Sequence, residues 1–124
     1  MIAADTSSLS AYLKGDTGRD VDLVASALNA AELVLPPVVV TEILSDPEAA
    51  QAIDAHIPNI ATLAIDDEYW VRAGRARRIL KTKSLKAKVA DALIAQACID
   101  NEVALITRDT DFRHFARHCG LRLA

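Results

Sequence analysis

Short apolar runs alternate with segments of helical periodicity along most of the chain. The runs at residues 1–4, 33–35, 59–65 and 103–107 predict buried strands, and residues 121–123 are a candidate fifth strand. Apolar residues recur at helical spacing over about 19–31, 47–56, 66–81, 88–100 and 112–118. Strands that alternate with helices are typical of a parallel sheet with helices on both faces. We therefore predict a single α/β domain over residues 1–124, with three α/β/α layers and a mostly parallel sheet of four or five strands.

The segment VVVTEIL at residues 38–44 is ambiguous. Its β-branched residues favour a strand, whereas a proline just before it favours a helix start. We predict a helix, because a strand opened by two prolines directly after another strand would be awkward.

The composition fits this fold and indicates the cellular compartment. Hydrophobic residues make up 52% of the 124 residues but aromatic ones only 4%, so Ala, Val, Leu and Ile must build the core. Such a core suits a buried parallel sheet. Cys98 and Cys119 lack a zinc-type spacing, and the first residues, MIAADTSS, lack the pattern of a signal peptide. We expect a reduced, cytoplasmic setting and no membrane association.

Charge is unevenly distributed. The net charge is −3, yet residues 72–88 contain eight Lys and Arg residues and no acid. At a spacing of three on a helix, Arg72, Arg75 and Arg78 would line one side, while positions 73, 76, 79 and 80 would face inward. These arginines are candidates for binding nucleic-acid phosphates. The alternative is a solvated helix face, which is the usual fate of a charge run.

Four acids occupy unusual positions. Asp5 and Asp109 each follow a predicted strand, where the ligand crevice of a parallel sheet is expected. Glu42 and Asp91 lie within apolar helical segments, where an unpaired charge is costly. Taken singly, Asp5 and Asp109 could simply cap the helices that follow them.

Together the four acids suggest a metal site. Carboxylates that converge on one crevice cannot all stay ionised without a cation. Oxygen ligands without matching His or Cys select a hard ion such as Mg²⁺ or Mn²⁺. Such ions can activate water and neutralise a phosphoryl oxygen, which suits phosphodiester hydrolysis without a nucleophilic side chain.

The chain resembles the PIN-domain ribonucleases, and among them the VapC-type toxins of toxin–antitoxin pairs. The resemblance rests on four short motifs in order over the whole chain: DTS at 5–7, TEI at 41–43, ADALIA at 90–95 and TRDTDF at 107–112. Each motif is weak alone, but the ordered set is fairly specific.

The resemblance implies a PIN-like fold and an acidic metal site of Asp5, Glu42, Asp91 and Asp109. It implies that the hydroxyls of Thr6, Ser7 and Thr107 support these acids through hydrogen bonds. The last motif holds two acids, and we expect Asp109 to lie closer to the metal, with Asp111 as a helper or helix cap. RNA as substrate, Mg²⁺ or Mn²⁺ as cofactor, a homodimer and an inhibitory VapB-type antitoxin are further implications.

Two other functions stay open at this point. A receiver-like phosphoacceptor domain has a similar length and also uses strand-end acids, but this chain lacks the Lys it needs after the VALIT strand. A non-catalytic PIN-like interaction domain is the other alternative, although unpaired buried acids would then only destabilise the fold.

Overall fold

The computed structural model describes residues 1–124 as four strands and seven α-helices. The strands are Ile2–Ala4 (β1), Leu33–Leu35 (β2), Ala61–Thr62 (β3) and Leu105–Ile106 (β4). The helices are Thr6–Leu13 (α1), Arg19–Asn29 (α2), Pro37–Ser45 (α3), Pro47–Ile53 (α4), Tyr69–Thr82 (α5), Val89–Asp100 (α6) and Phe112–Cys119 (α7).

The four strands form one parallel sheet in the order β3-β2-β1-β4. Between β1 and the edge strand β4, Ala4 pairs with Ile106. The Asp5 N–H continues this ladder by donating to the Ile106 carbonyl at 3.0 Å. Because the strands are parallel, the residues that follow β1 and β4 meet at one edge of the sheet. The sheet with its flanking helices confirms the predicted α/β fold.

Helix α6 is the most enclosed helix. Ala92, Ile94, Ala95, Ala97 and Cys98 are each at most 2% exposed. A helix that is apolar nearly all round belongs in the core of a domain. Consequently a charged residue in its first turn, Asp91, lies at the border between the core and the edge of the sheet where β1 and β4 end.

Several elements are shorter in the structure than predicted. The 59–65 segment yields only two exposed strand residues, because a 3-10 helix over Asp54–Asn59 takes up its start. Residues 121–123 contribute one isolated bridge, Leu105 to Leu123, rather than a strand. Ile79 does not face inward as predicted but is 41% exposed, since the buried face of α5 passes through positions 73, 76 and 80.

Local signals correctly located other ends. The segment at 38–44 is helical and α3 starts at Pro37, as predicted from the prolines. Asp46 caps α4 by accepting from the backbone N–H groups of Glu48 and Ala49. Gly120 ends α7 in the left-handed conformation, with φ of 84°.

An apolar pocket lies at the amino ends of the strands, away from the acids. It has a volume of about 730 Å³, and its lining includes Tyr12, Leu13, Leu28, Ile53 and Ile60. None of the helices is both long enough and apolar enough to cross a membrane.

Candidate metal centre

Three carboxylates meet at the edge of the sheet where β1 and β4 end. Carboxylate oxygens of Asp91, Asp109 and Asp111 all lie within 4.8 Å of one another. The first comes from the first turn of α6, and the other two come from the loop between β4 and α7. Three acids this close repel one another strongly unless a proton or a cation lies between them.

Asp91 lacks a hydrogen-bond partner for one of its oxygens. The residue is 9% exposed, and its Oδ2 is buried without a donor. Burial, followed by the charge of Asp109, raises the pKa of Asp91 to about 6. A buried oxygen without a partner is rare in native proteins and calls for an explanation such as an ion.

Asp5 has the opposite environment. It is 2% exposed, and its carboxylate accepts hydrogen bonds from Thr107 Oγ1 at 2.6 Å, Ser7 Oγ at 2.8 Å and the Ser8 N–H at 2.9 Å. Burial raises the pKa of Asp5, while these three donors act in the opposite direction. The hydrogen bond from the Ser8 N–H also caps α1. Asp5 is therefore a helix cap, as the alternative proposed, and it also lies beside the acidic group.

Thr107 connects Asp5 to the acidic loop. Its hydroxyl donates to Asp5 and accepts from the Asp109 N–H at 3.0 Å. Asp109 in turn accepts from the Asp111 N–H at 2.9 Å through Oδ1. A continuous set of hydrogen bonds therefore runs from the end of β1 to both acids after β4. Ser7 and Thr107 both donate to Asp5, and their supporting role at a metal stays a prediction.

Glu42 lies beside this set without entering the group of three. Its Oε1 accepts from Thr6 Oγ1 at 2.7 Å, and α3 packs against both α1 and α6. Thr6 directly follows Asp5, so Glu42 is joined to the site through α1. Its role as a direct ligand stays a prediction.

Both acids of the last motif belong to the group of three. That Asp109 lies closer to the metal than Asp111 stays a prediction. Asp111 precedes α7 but makes no capping hydrogen bond with its side chain.

These residues fit a hard divalent cation. The donor set consists of carboxylate oxygens, and Asp91, one of its three members, has an oxygen that is buried without a partner. Oxygen ligands of this kind suit Mg²⁺ or Mn²⁺ rather than a softer metal.

Arg108, which no sequence motif singled out as a site residue, anchors the acidic loop from outside. Arg108 Nε donates to Asp20 Oδ2 at 2.8 Å, and the same oxygen accepts from Ser8 Oγ at 2.8 Å. This ion pair joins the loop that carries Asp109 to the start of α2. The hydrogen bond from Arg108 is the main cause that lowers the pKa of Asp20 to about 2.

We expect Asp20→Asn to lower the free energy of unfolding by about 1–2 kcal/mol at pH 7. A depressed pKa stabilises the fold above the ordinary value near 4, and this contribution is lost as the pH falls towards 2. The full shift would give more, but Arg108 is 37% exposed and solvent screens the pair. Urea unfolding at pH 7 and near pH 2 measures the difference. Asp22→Asn, an exposed neighbour, is the control, and an equal loss for both variants would contradict the prediction.

The predicted arginine row is only partly available for binding. Arg72 donates to Asp66 at 2.8 Å and to Asp100 at 2.7 Å, so its guanidinium is already engaged. Its predicted role in binding phosphate is not supported by this arrangement. Arg75 and Arg78 are exposed on α5, and their role stays a prediction.

A family model described as PIN domain matches residues 2–118. No curated protein matches the chain in sequence. The fold is similar to that of VapBC2 from Rickettsia felis bound to a promoter DNA fragment, with a TM-score of 0.76 and 17% identity over 100% of this chain and 98% of that one.

Two further solved structures share the fold. DNA-bound VapBC from Salmonella typhimurium has a TM-score of 0.71 and 17% identity over 100% of this chain and 98% of that one. FitAcB from Neisseria gonorrhoeae has a TM-score of 0.70 and 19% identity over 99% of this chain and 96% of that one.

Proposed function

The chain belongs to the PIN domain family, and on that premise we propose that it is a metal-dependent endoribonuclease that acts as the toxin of a VapBC-type pair. The group of Asp91, Asp109 and Asp111 is the observation that carries the proposal. A receiver-like function loses its basis with the family match.

The proposed ligands are the three clustered acids, with Mg²⁺ or Mn²⁺ as the ion. When bound, the ion would lower the pKa of a water molecule and neutralise charge on a phosphoryl oxygen. Asp91 offers its unpartnered Oδ2 to the ion. Asp109 is oriented by two hydrogen bonds: its N–H donates to Thr107 Oγ1, and its Oδ1 accepts from the Asp111 N–H.

Asp5 and Glu42 complete the proposed site from the other side. Asp5 is fixed by hydroxyl and backbone donors, so its carboxylate cannot turn away from the acidic loop. Glu42 is fixed by Thr6 and adds negative charge next to α1. Charges that are already oriented need no reorganisation when the reaction occurs, which is the main advantage of a preorganised site.

RNA is the proposed substrate, and a VapB-type antitoxin and a second copy of the chain are the proposed partners. Two fold relatives are VapBC complexes, which supports the antitoxin proposal by analogy. The apolar pocket near Tyr12 and Ile53 is the proposed contact for apolar side chains of the antitoxin. Exposed Trp70 and Val71 at the start of α5 supply apolar area for a subunit contact.

The proposal is tested by incubating the purified protein with labelled RNA in Mg²⁺, Mn²⁺ or excess chelator. We expect cleavage only with a divalent ion. Asp109→Asn should reduce the rate on the order of 10²–10³-fold, because it removes a charged ligand of the ion. Asp54→Asn is the matched control, since Asp54 is an exposed acid that precedes β3 at the other edge of the sheet.

Cleavage that persists in chelator, or an Asp109→Asn protein as active as Asp54→Asn, would contradict the proposal. RNA or protein binding without any turnover would instead favour the non-catalytic interaction domain.

A further inference from the structure

Lys86 lies next to the acidic group. Its Nζ is 3.4 Å from Asp111 Oδ2, and its side chain is 63% exposed. Of the cations in the basic stretch from 72 to 88, it is the one that forms an ion pair with a member of the group of three. A lysine in this position faces the acids on one side and solvent on the other.

The loop that carries Lys86 is held at both neighbouring positions. Leu85 packs against the core, and its N–H donates to the Leu80 carbonyl at 3.0 Å. Ala87 is buried, and its carbonyl accepts from Arg77 Nε at 2.8 Å. With both neighbours fixed, the backbone directs Lys86 to the site at a small cost in ordering.

Two other cations of the stretch are engaged elsewhere: Arg72 is paired with Asp66 and Asp100, and Arg77 donates to the Ala87 carbonyl. The charge of Lys88 lowers the pKa of Asp91, but Lys88 forms no ion pair with the clustered acids. The exposed cations Arg75 and Arg78 form no ion pair with the clustered acids. Lys86 is therefore placed differently from the arginines that the sequence pattern favoured.

We propose that Lys86 is a substrate-positioning residue that binds a phosphate of the RNA next to the clustered acids. This inference rests on the proposed ribonuclease function and names the contact that brings a polyanion to a negatively charged site. Without such a cation, the acids would repel the RNA backbone at the point where it must approach most closely. The ammonium group can leave Asp111 for a phosphate oxygen, because it sits on a flexible stem and is exposed to solvent.

Lys86→Ala should change RNA affinity and Mn²⁺ affinity in opposite directions, because Lys86 would attract phosphate and repel a metal ion. RNA affinity should fall about fivefold, the scale of one partly exposed charge pair. The slope of log affinity against log salt should decrease by about 0.7, the value for one phosphate contact with a single strand. Mn²⁺ affinity should rise about two- to fivefold, since a positive charge next to Asp111 has been removed.

The experiment compares wild type, Lys86→Ala, Lys86→Arg and Lys83→Ala. Binding of a labelled single-stranded RNA is measured in chelator over a range of salt concentrations, and Mn²⁺ binding is measured by calorimetry. Steady-state cleavage in Mg²⁺ should give a higher KM for Lys86→Ala with kcat changed less than KM. Lys86→Arg should retain RNA affinity, and Lys83→Ala, an exposed lysine of the same loop, should behave as wild type.

If Lys86→Ala weakened both RNA and Mn²⁺ binding, as a general loss of structure would, the predicted opposite effects would be absent and the inference would be overturned. So would a Lys86→Ala protein with wild-type RNA affinity and salt slope while the wild type cleaves RNA. If the wild type itself cleaves no RNA with any divalent ion, the proposed function fails and the inference fails with it.

Discussion

Asp91→Asn should abolish RNA cleavage and at the same time stabilise the metal-free protein at neutral pH. Loss of the ligand should slow cleavage on the order of 10³-fold, which equals about 4 kcal/mol of transition-state stabilisation. The ionised Asp91 opposes folding, because its pKa is about 6 in the folded chain against 3.8 in the unfolded one. That difference corresponds to about 3 kcal/mol. We expect a gain of about 1–2 kcal/mol, since a buried amide also needs a partner.

The pH dependence follows from the same shift. The folded protein holds the Asp91 proton more tightly than the unfolded chain, so wild-type stability should decrease as the pH rises from about 4 to about 6. The gain from Asp91→Asn should thus appear at pH 7.5 and vanish near pH 4. Urea unfolding in chelator at both pH values measures it, and saturating Mg²⁺ should stabilise the wild type more than the variant.

Asp22→Asn is the matched control, because Asp22 is an exposed acid in the first turn of α2. It should lose a little stability through the helix dipole, with no gain at pH 7.5. An Asp91→Asn protein that is less stable than wild type in chelator at pH 7.5 would show that Asp91 is not a strained charge.

Asp5→Ala should also abolish cleavage, but it should destabilise the protein by about 2–4 kcal/mol. It removes the cap of α1 and leaves the Ser8 N–H and the Thr107 hydroxyl without their acceptor. The lost cap, which is the bond from the Ser8 N–H, costs about 1 kcal/mol, and the unsatisfied Thr107 hydroxyl costs about 1–3 kcal/mol. Asp5→Asn keeps one acceptor oxygen for the Ser8 N–H, so it should recover about 1 kcal/mol.

Asp46→Ala is the control for the cap. Asp46 also caps a helix through two backbone N–H groups, but its side chain is 36% exposed and does not belong to the group of three acids. It should cost about 1 kcal/mol and leave cleavage unchanged. Equal stability losses for Asp5→Ala and Asp46→Ala in denaturant unfolding would contradict the role given to Thr107 and Ser8.

The order of elements could be predicted from local signals, whereas their lengths could not. Proline and aspartate determined the starts of α3 and α4, because their effects depend on the adjacent backbone. The length of the third strand was overestimated, since apolar residues at 59–65 fit both a strand and the 3-10 turn that precedes it. Periodicity cannot distinguish these cases in so short a segment.

The acids of the site could be selected from sequence context, but their differences could not. Asp5 and Asp91 both looked like misplaced charges. Only the fold gives Asp5 three hydrogen-bond donors and leaves Asp91 Oδ2 without any. Those donors come partly from Thr107, which is 102 positions from Asp5, so no local pattern contains them.

The basic stretch shows the same limit. Helical spacing grouped Arg72 with Arg75 and Arg78, but Arg72 meets Asp100, 28 positions away on α6. Lys86 carried no sequence signal beyond its charge, because its ion pair with Asp111 arises from the path of a loop. Long-range ion pairs decide which cations remain available, and sequence spacing does not contain that information.

The wide separation of the clustered acids along the chain has a consequence for synthesis. In the chain, Asp91 precedes β4 and Asp111 follows it. Asp5 comes next to them only once β1 has paired with β4. A growing polypeptide that has not yet released residue 111 from the ribosome lacks a complete set of acids. With the proposed function, RNA cleavage is expected to begin only when translation of the domain is nearly finished.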